Sequence, residues 1–348
     1  MMCDYKLKRF LLYVVALLCS IILFLKMLNP TQNSLQPASE FVFINRGPPQ
    51  NALLARQFTF DPTWQPLLYD PPPEETLMAI KRNIIVEEEI PKPGKEPQTY
   101  NILLTAVVNS GMIDYTLNWI ESLRRTQQDD KFLVFAIDQG VVDALTEHGY
   151  GAQVTLIPDS WFHVPLISEF ARWKSDQYRP ITHAKTLVVE RLLYLDVTVW
   201  FSDVDIVLLS PNIRPLMLSL MAQRPYTDMI FTQEVDHRTV NSGFYMMKPT
   251  MLTKQFLHQI VIEQDKTEKF TQQKLMNEVL KVMFPRDIVA SPYRLLDLLL
   301  FPNGNFYFRM NLPQRLGIQP LMVHANYLIG DSKKNSLKEA GLWYIDSP

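Results

Sequence analysis

The chain has 348 residues, 47% of them hydrophobic and 20% charged, with a formal net charge of −2 at pH 7. That length suits one large α/β core with appendages and is too short for three ordinary domains. Charges of both signs are mixed along the chain, which excludes the basic stripe needed to neutralise a nucleic-acid backbone, so no nucleic-acid partner is expected.

The first element in chain order is an uncharged stretch from Phe10 to Leu25, which reaches Leu28 if Lys26 snorkels. A span of this kind comes close to the roughly 17 to 25 residues that cross a bilayer as a helix. Lys6, Lys8 and Arg9 precede it against a single Asp4, so the positive-inside bias keeps the amino terminus cytosolic. The expectation is a cytosolic tail at 1–9, a transmembrane anchor at 10–28 and single-pass type II topology. A cleaved signal peptide shares the basic start and apolar middle, but the span is long for one and no small-x-small site follows. Both cysteines, Cys3 and Cys19, fall in or before this segment, so the remainder folds without a disulfide or a thiolate metal site. The Asn29-Pro30-Thr31 triplet is no glycosylation acceptor, because proline stands in its middle.

Residues 29–98 contain about half of the 25 prolines and read as a stem that resists continuous helix or sheet. Within it, EETLMAIKRNIIVEEEI at 74–90 has the spacing of a short helix packed on the core. From residue 99 short apolar runs alternate with helical segments. The runs at 101–108, 131–138 and 152–158 are strand candidates, separated by helices at 112–125 and 141–149, the latter ended by Gly149. A further helix is expected at 182–196, then TVWFSDVDIVLL at 198–209 as a buried strand. Such alternation predicts a mainly parallel sheet flanked by helices. In that class ligands bind at the carboxyl ends of the strands, where Asp203 and Asp205 fall.

Two ionised carboxylates beside an apolar strand are costly to bury unless a cation compensates. Hard divalent ions that serve phosphate chemistry take one or two carboxylates from the protein and further oxygens from the substrate. The alternative is that one aspartate caps a turn while the other is solvated, since an isolated Asp-x-Asp arises often by chance.

The run FSDVDIVLLSPN, with VVNSGMIDYTLNWIESLRR before it and NSGFYMMKPT, QQKLMNEVL and HANYLIGDSKKNSLKEAGLWY after it, resembles the nucleotide-diphospho-sugar transferase domain of the glycosyltransferase family that includes plant rhamnogalacturonan xylosyltransferases. The resemblance covers about residues 100 to 348 and implies a GT-A-like, Rossmann-type mixed sheet. It also implies retaining transfer from a UDP-sugar donor to a glycan or glycoprotein acceptor, with Mn²⁺ or Mg²⁺ held by Asp203, Asp205 and His324. With the anchor it implies a catalytic domain at 99–348 in the Golgi lumen.

Asn241 and Gln273, with Asp236 from a polar cluster beside a strand end that suits hydroxyl recognition, are the candidate catalytic residues. Lys185, Ser242, Gly243, Gly330, Lys333 and Lys334, with the two metal aspartates, are the candidate donor-binding residues. Lys185 reaches the diphosphate or decorates a helix surface, and Asn241 and Ser242 border the donor sugar or form an ordinary turn into a strand. Gly330 and the lysine pair fit a loop over a diphosphate. Gln233, Glu234, Asp236 and His237 crowd one polar loop. One departure stands out: Gln272 occupies a position where the family commonly has an acid.

Two other readings compete. Asp203-Val204-Asp205 also matches the nucleophile motif of haloacid-dehalogenase phosphatases, but that motif normally opens its domain, and no adjacent acidic pair follows downstream. A non-catalytic binding protein of the same fold rests on Gln272 alone.

Overall fold

The computed structural model describes residues 61–88, 99–162, 178–224, 226–236, 239–266, 270–284 and 291–345. The expected anchor at 10–28, the stem before residue 61, the PKPGKEP segment and His237 lie outside the described residues. Among the described residues no helix is long and apolar enough to cross a membrane.

Helix α1 (Glu74–Asn83) leads into strand β1 (Ile85–Glu88). The predicted helix at 74–90 is therefore helix only to Asn83 and strand from Ile85 to Glu88, because β1 adds antiparallel to the first part of β2 (Thr99–Val108), with Ile85 opposite Ile102. Chain order then gives α2 (Ile113–Arg125), β3 (Leu133–Ala136), α3 (Gln139–Glu147), β4 (Val154–Leu156), α4 (Tyr178–Tyr194) and β5 (Thr198–Ser202). Gly149, at φ +87°, stops the chain just past α3, as its sequence position predicts. After β5 come β6 (Ile206–Leu208), α5 (Ile213–Ala222), β7 (Met229–Gln233), β8 (Val240–Met247), α6 (Met251–Lys266), α7 (Gln272–Met283) and β9 (Tyr293–Leu295). Helix α8 (Leu312–Leu316), β10 (Met322–His324) and α9 (Asp331–Glu339) complete the described elements.

The main sheet runs β4-β3-β2-β5-β8-β7-β9, with β1 on β2. Strands β4, β3, β2, β5, β7 and β9 share one direction, while β8 and β1 oppose it. This is the mixed, mainly parallel sheet that the alternation of apolar runs and helices predicts. Successive strand residues point to opposite faces. Leu103, Val107, Val199, Phe201, Tyr245 and Met247 thus pack with α1, α4, α6 and α7. Ile102, Leu104, Ala106, Trp200, Phe244 and Met246 pack with α2, α3 and α5. Trp119 and Trp200 are wholly buried on the second face, each worth roughly 1.5–3 kcal/mol or more of apolar burial.

A third, smaller core forms around the antiparallel pair β6 and β10, where Val207, Val323, Ala325, Leu337, Leu342 and Trp343 meet. The predicted single strand at 198–209 is in fact two, β5 in the main sheet and β6 in this ribbon, and the aspartates occupy the break.

Candidate active site

Ser202 ends β5 fully buried, its hydroxyl accepting from Trp119 Nε1 at 3.0 Å and donating to the Asp203 carbonyl at 2.9 Å. The chain turns there because Asp203 leaves the sheet at its carboxyl edge. Its backbone N–H donates to the Gly243 carbonyl at 2.6 Å, and its Oδ1 accepts from Lys185 Nζ of α4 at 2.5 Å. Lys185 therefore faces the motif instead of decorating the helix surface.

Asp205 precedes β6, and its carbonyl accepts from the Ala325 N–H at 2.9 Å, which fixes β10 alongside. His324, opposite Ile206 in that ribbon, brings Nε2 to 3.2 Å from Asp205 Oδ1. Lys333 Nζ donates to Asp205 Oδ2 at 2.7 Å across 128 residues of sequence. Burial would raise the Asp205 carboxyl, which is 8% exposed. The charges and hydrogen bonds of Lys333 and His324 more than offset it and hold the group well below the usual carboxylate range. Lys333 is held above the usual lysine range by the same carboxylate, against the cost of its own burial. The sign is that of a paired acid: its stabilising contribution is present above the ordinary carboxylate pKa and is lost only as pH falls through the depressed one.

One ligand atom each from Asp203, Asp205 and His324 lies within 4.8 Å of the others. Two carboxylate oxygens and an imidazole nitrogen make a donor set that can hold a divalent metal ion. The backbone makes room for one. A Cβ on Gly243 would stand 2.5 Å from His324 Cε1 and 2.9 Å from Asp203 Oδ2, so a side chain here would press into the ligand cluster. The His324 Nδ1 is buried and has no hydrogen-bond partner among the described residues.

The antiparallel direction of β8 carries Asn241, Ser242 and Gly243 to the same sheet edge. They are strand residues, not the turn that the glycine suggests. Asn277 of α7 clamps Val240 on both backbone groups, at 2.8 and 2.9 Å, and so sets the start of α7 beside them. Gln273 Oε1 accepts from the Ser242 N–H at 3.2 Å, and Asn241 Oδ1 accepts from the Gly243 N–H at 2.8 Å. Both amide nitrogens converge on Glu234 Oε1, at 2.7 Å from Asn241 and 3.0 Å from Gln273. Glu234 belongs to the polar cluster that suits hydroxyl recognition; its partners are visible only once β8 and α7 are placed.

Other expected residues diverge. Asp236 is exposed and accepts from the Thr239 N–H and hydroxyl at 2.8 and 2.5 Å, closing its own turn. Gly330, at φ +57°, is followed directly by α9, so Lys333 and Lys334 lie in a helical first turn and not in a loop. Lys333 points to Asp205, whereas Lys334 bonds Asp114 at 3.0 Å and lies 4.7 Å over the Trp343 ring. Gln272 is buried, its Nε2 without a hydrogen-bond partner among the described residues.

Over 185 residues the chain is 30% identical to the UDP-galactose:fucoside alpha-3-galactosyltransferase of Dictyostelium discoideum, a match that covers 49% of this chain but only 28% of that protein. Among solved structures, the galactosyltransferase LgtC with donor and acceptor sugar analogs shares 10% identity at a TM-score of 0.43, covering 69% of this chain and 94% of that one. Mouse xyloside xylosyltransferase 1 shares 12% at a TM-score of 0.37, covering 65% and 97%. Residues 127–337, more than half of the chain, match the nucleotide-diphospho-sugar transferase family, and that span contains Lys185, both motif aspartates, Gly243, Gln273, His324 and Lys333. This chain therefore belongs to the nucleotide-diphospho-sugar transferase family.

Proposed function

We propose that the chain transfers a sugar from a UDP-sugar to a hydroxyl of a glycan or glycoprotein acceptor, with retention, in a reaction that depends on Mn²⁺ or Mg²⁺. The observation that carries this is the meeting of Asp203, Asp205 and His324 at the sheet edge, with Lys185 and Lys333 on the two carboxylates. A divalent ion held by those three residues supplies charge neutralisation for a departing diphosphate. The two ammonium groups then turn from the carboxylates to phosphate oxygens, adding preorganised positive charge where negative charge develops.

Asn241, Ser242, Gly243 and Gln273 form the adjoining wall, where sugar hydroxyls meet amides and backbone. The bond from the anomeric carbon to the diphosphate oxygen breaks, the acceptor oxygen bonds that carbon on the same face, and the acceptor proton leaves with the departing UDP. The Dictyostelium relative is named for UDP-galactose and a fucoside, which makes these the first donor and acceptor to try. The apolar segment 10–28 and the basic residues before it support a type II Golgi membrane protein with this site in the lumen.

The test is a titration of the full chain with UDP and a panel of UDP-sugars, with and without Mn²⁺, following heat and free UDP. Metal-dependent binding and release of UDP from one sugar is expected. Binding without turnover, with any acceptor, would favour a non-catalytic role, and no nucleotide binding in any metal would overturn the transferase reading.

A further inference from the structure

Glu234 is the meeting point of three segments far apart in sequence. Its own N–H donates to the Thr239 carbonyl at 2.8 Å, and the β7–β8 pairing is irregular between Phe231 and Gln233 just before it. Such irregularities re-aim side chains at sheet ends. Oε1 takes the Asn241 and Gln273 amides, while Oε2 accepts from the hydroxyl of Tyr327, which lies past β10.

The amide oxygens of Asn241 and Gln273 are in turn bound to the Gly243 and Ser242 N–H groups. Each amide is thus fixed at both ends, with Glu234 dictating which end carries the donors. The third partner differs in kind. Tyr327 is 37% exposed, sits at φ +61° where a side chain is unfavourable, and is held there by Arg309 Nη2 on its carbonyl at 2.6 Å. A phenol hydroxyl donating to a carboxylate is chemically what a sugar hydroxyl does, and it is the most accessible of the three donors on Glu234.

We propose that Glu234 is a positioning residue of the donor-sugar site: it orients the Asn241 and Gln273 amides, and its Oε2, held by the Tyr327 hydroxyl, is the atom that a donor-sugar hydroxyl takes over. Tyr327 is then a competitor for the sugar and not a support for it. This inference rests on the transferase reading, and it concerns the sugar end of the donor alone.

The experiment compares Mn²⁺-dependent affinities of UDP and UDP-galactose for the unsubstituted chain, Tyr327→Phe and Glu234→Gln, with kcat and KM for UDP release. Tyr327→Phe removes one exposed hydroxyl. It is expected to tighten UDP-galactose several-fold and lower KM while leaving UDP unchanged, an effect that a merely structural role cannot produce. Glu234→Gln is expected to weaken UDP-galactose at least tenfold with UDP unchanged, and Glu234→Asp to restore part of it. The proposal is overturned if Tyr327→Phe weakens or does not alter UDP-galactose, or if either variant moves UDP and UDP-galactose by equal factors. If the unsubstituted chain binds no UDP with Mn²⁺, the transferase reading fails and this assignment falls with it. If UDP binds and only the variants behave otherwise, the transferase reading stands and Glu234 alone is misassigned.

Discussion

The two parts of the candidate site are built on opposite electrostatic plans. At the proposed metal end two acids each have their own cation, Asp203 with Lys185 and Asp205 with Lys333, and His324 closes the group. At the proposed sugar end one acid, Glu234, is shared by two amides and a phenol. Paired charges in a buried setting can hold a multivalent ion and its anionic ligand, whereas neutral donors around one carboxylate can discriminate hydroxyl patterns. The difference teaches that charge and geometry are supplied by separate parts of the fold: the β5–β6 break and the β10 ribbon on one side, β8 and α7 on the other.

The comparison breaks most decisively at Asp205. Asp205→Asn is expected to abolish Mn²⁺-dependent UDP release and, by leaving Lys333 buried without its anion, to lower stability by about 3–5 kcal/mol. Turnover assays and denaturant titration check both, and metal-dependent turnover persisting in a folded variant would remove the assignment. Next comes Gly243→Ala at the junction of the two ends. Its methyl group would press on His324 and Asp203, so Mn²⁺ affinity measured by calorimetry should fall by roughly 10–100-fold, the scale on which disturbed ligand support acts, with a stability loss of about 1–3 kcal/mol.

The two neighbouring lysines sharpen the same contrast. Lys333→Ala should weaken UDP by roughly tenfold or more, the scale of charge-assisted hydrogen bonds. Lys334→Ala, which loses its contacts to Asp114 and Trp343, should change UDP affinity far less; equal losses would place both lysines on the diphosphate.

The smallest effect lies away from the candidate site. Hydrogen bonds from Arg124, then from Arg125 against partial desolvation, hold Glu121 on α2 at about 2. A depressed carboxyl adds stability above its unfolded value near 4.5, and loses it as pH falls toward 2. Both arginines are well exposed, so Glu121→Gln should cost under about 1 kcal/mol at pH 7, and the gap in melting temperature should shrink as the pH is lowered toward that of the titrating acid.

Much of the fold was legible because local pattern and tertiary role agree. The apolar run 101–108, the amphipathic 113–125 and Gly149 behave as their composition predicts, since a central parallel strand must be apolar on both faces. The motif aspartates were legible for a different reason: they stand one residue apart at the end of such a run, where burial of charge demands explanation. The direction of β8 was not, because an antiparallel insertion leaves no periodicity of its own, and Asn241–Gly243 therefore read as a turn. Lys333 and Lys334 were indistinguishable in sequence, since adjacent helical residues differ by about 100° in facing, and only the start of α9 decides which one turns to Asp205.

By itself the sequence determined the class of this protein, a mainly parallel α/β core carrying an acidic motif at a strand end, because hydrophobic periodicity and the cost of buried charge are local quantities. The resemblance already placed His324 and the lysine pair with that motif; the tertiary structure alone decided that Lys333 and not Lys334 reaches Asp205, that Gly243 leaves the cluster room, and that Glu234 gathers Asn241, Gln273 and Tyr327. Those relations depend on strand direction and register, which join residues distant in the chain and leave no trace in the spacing between neighbours.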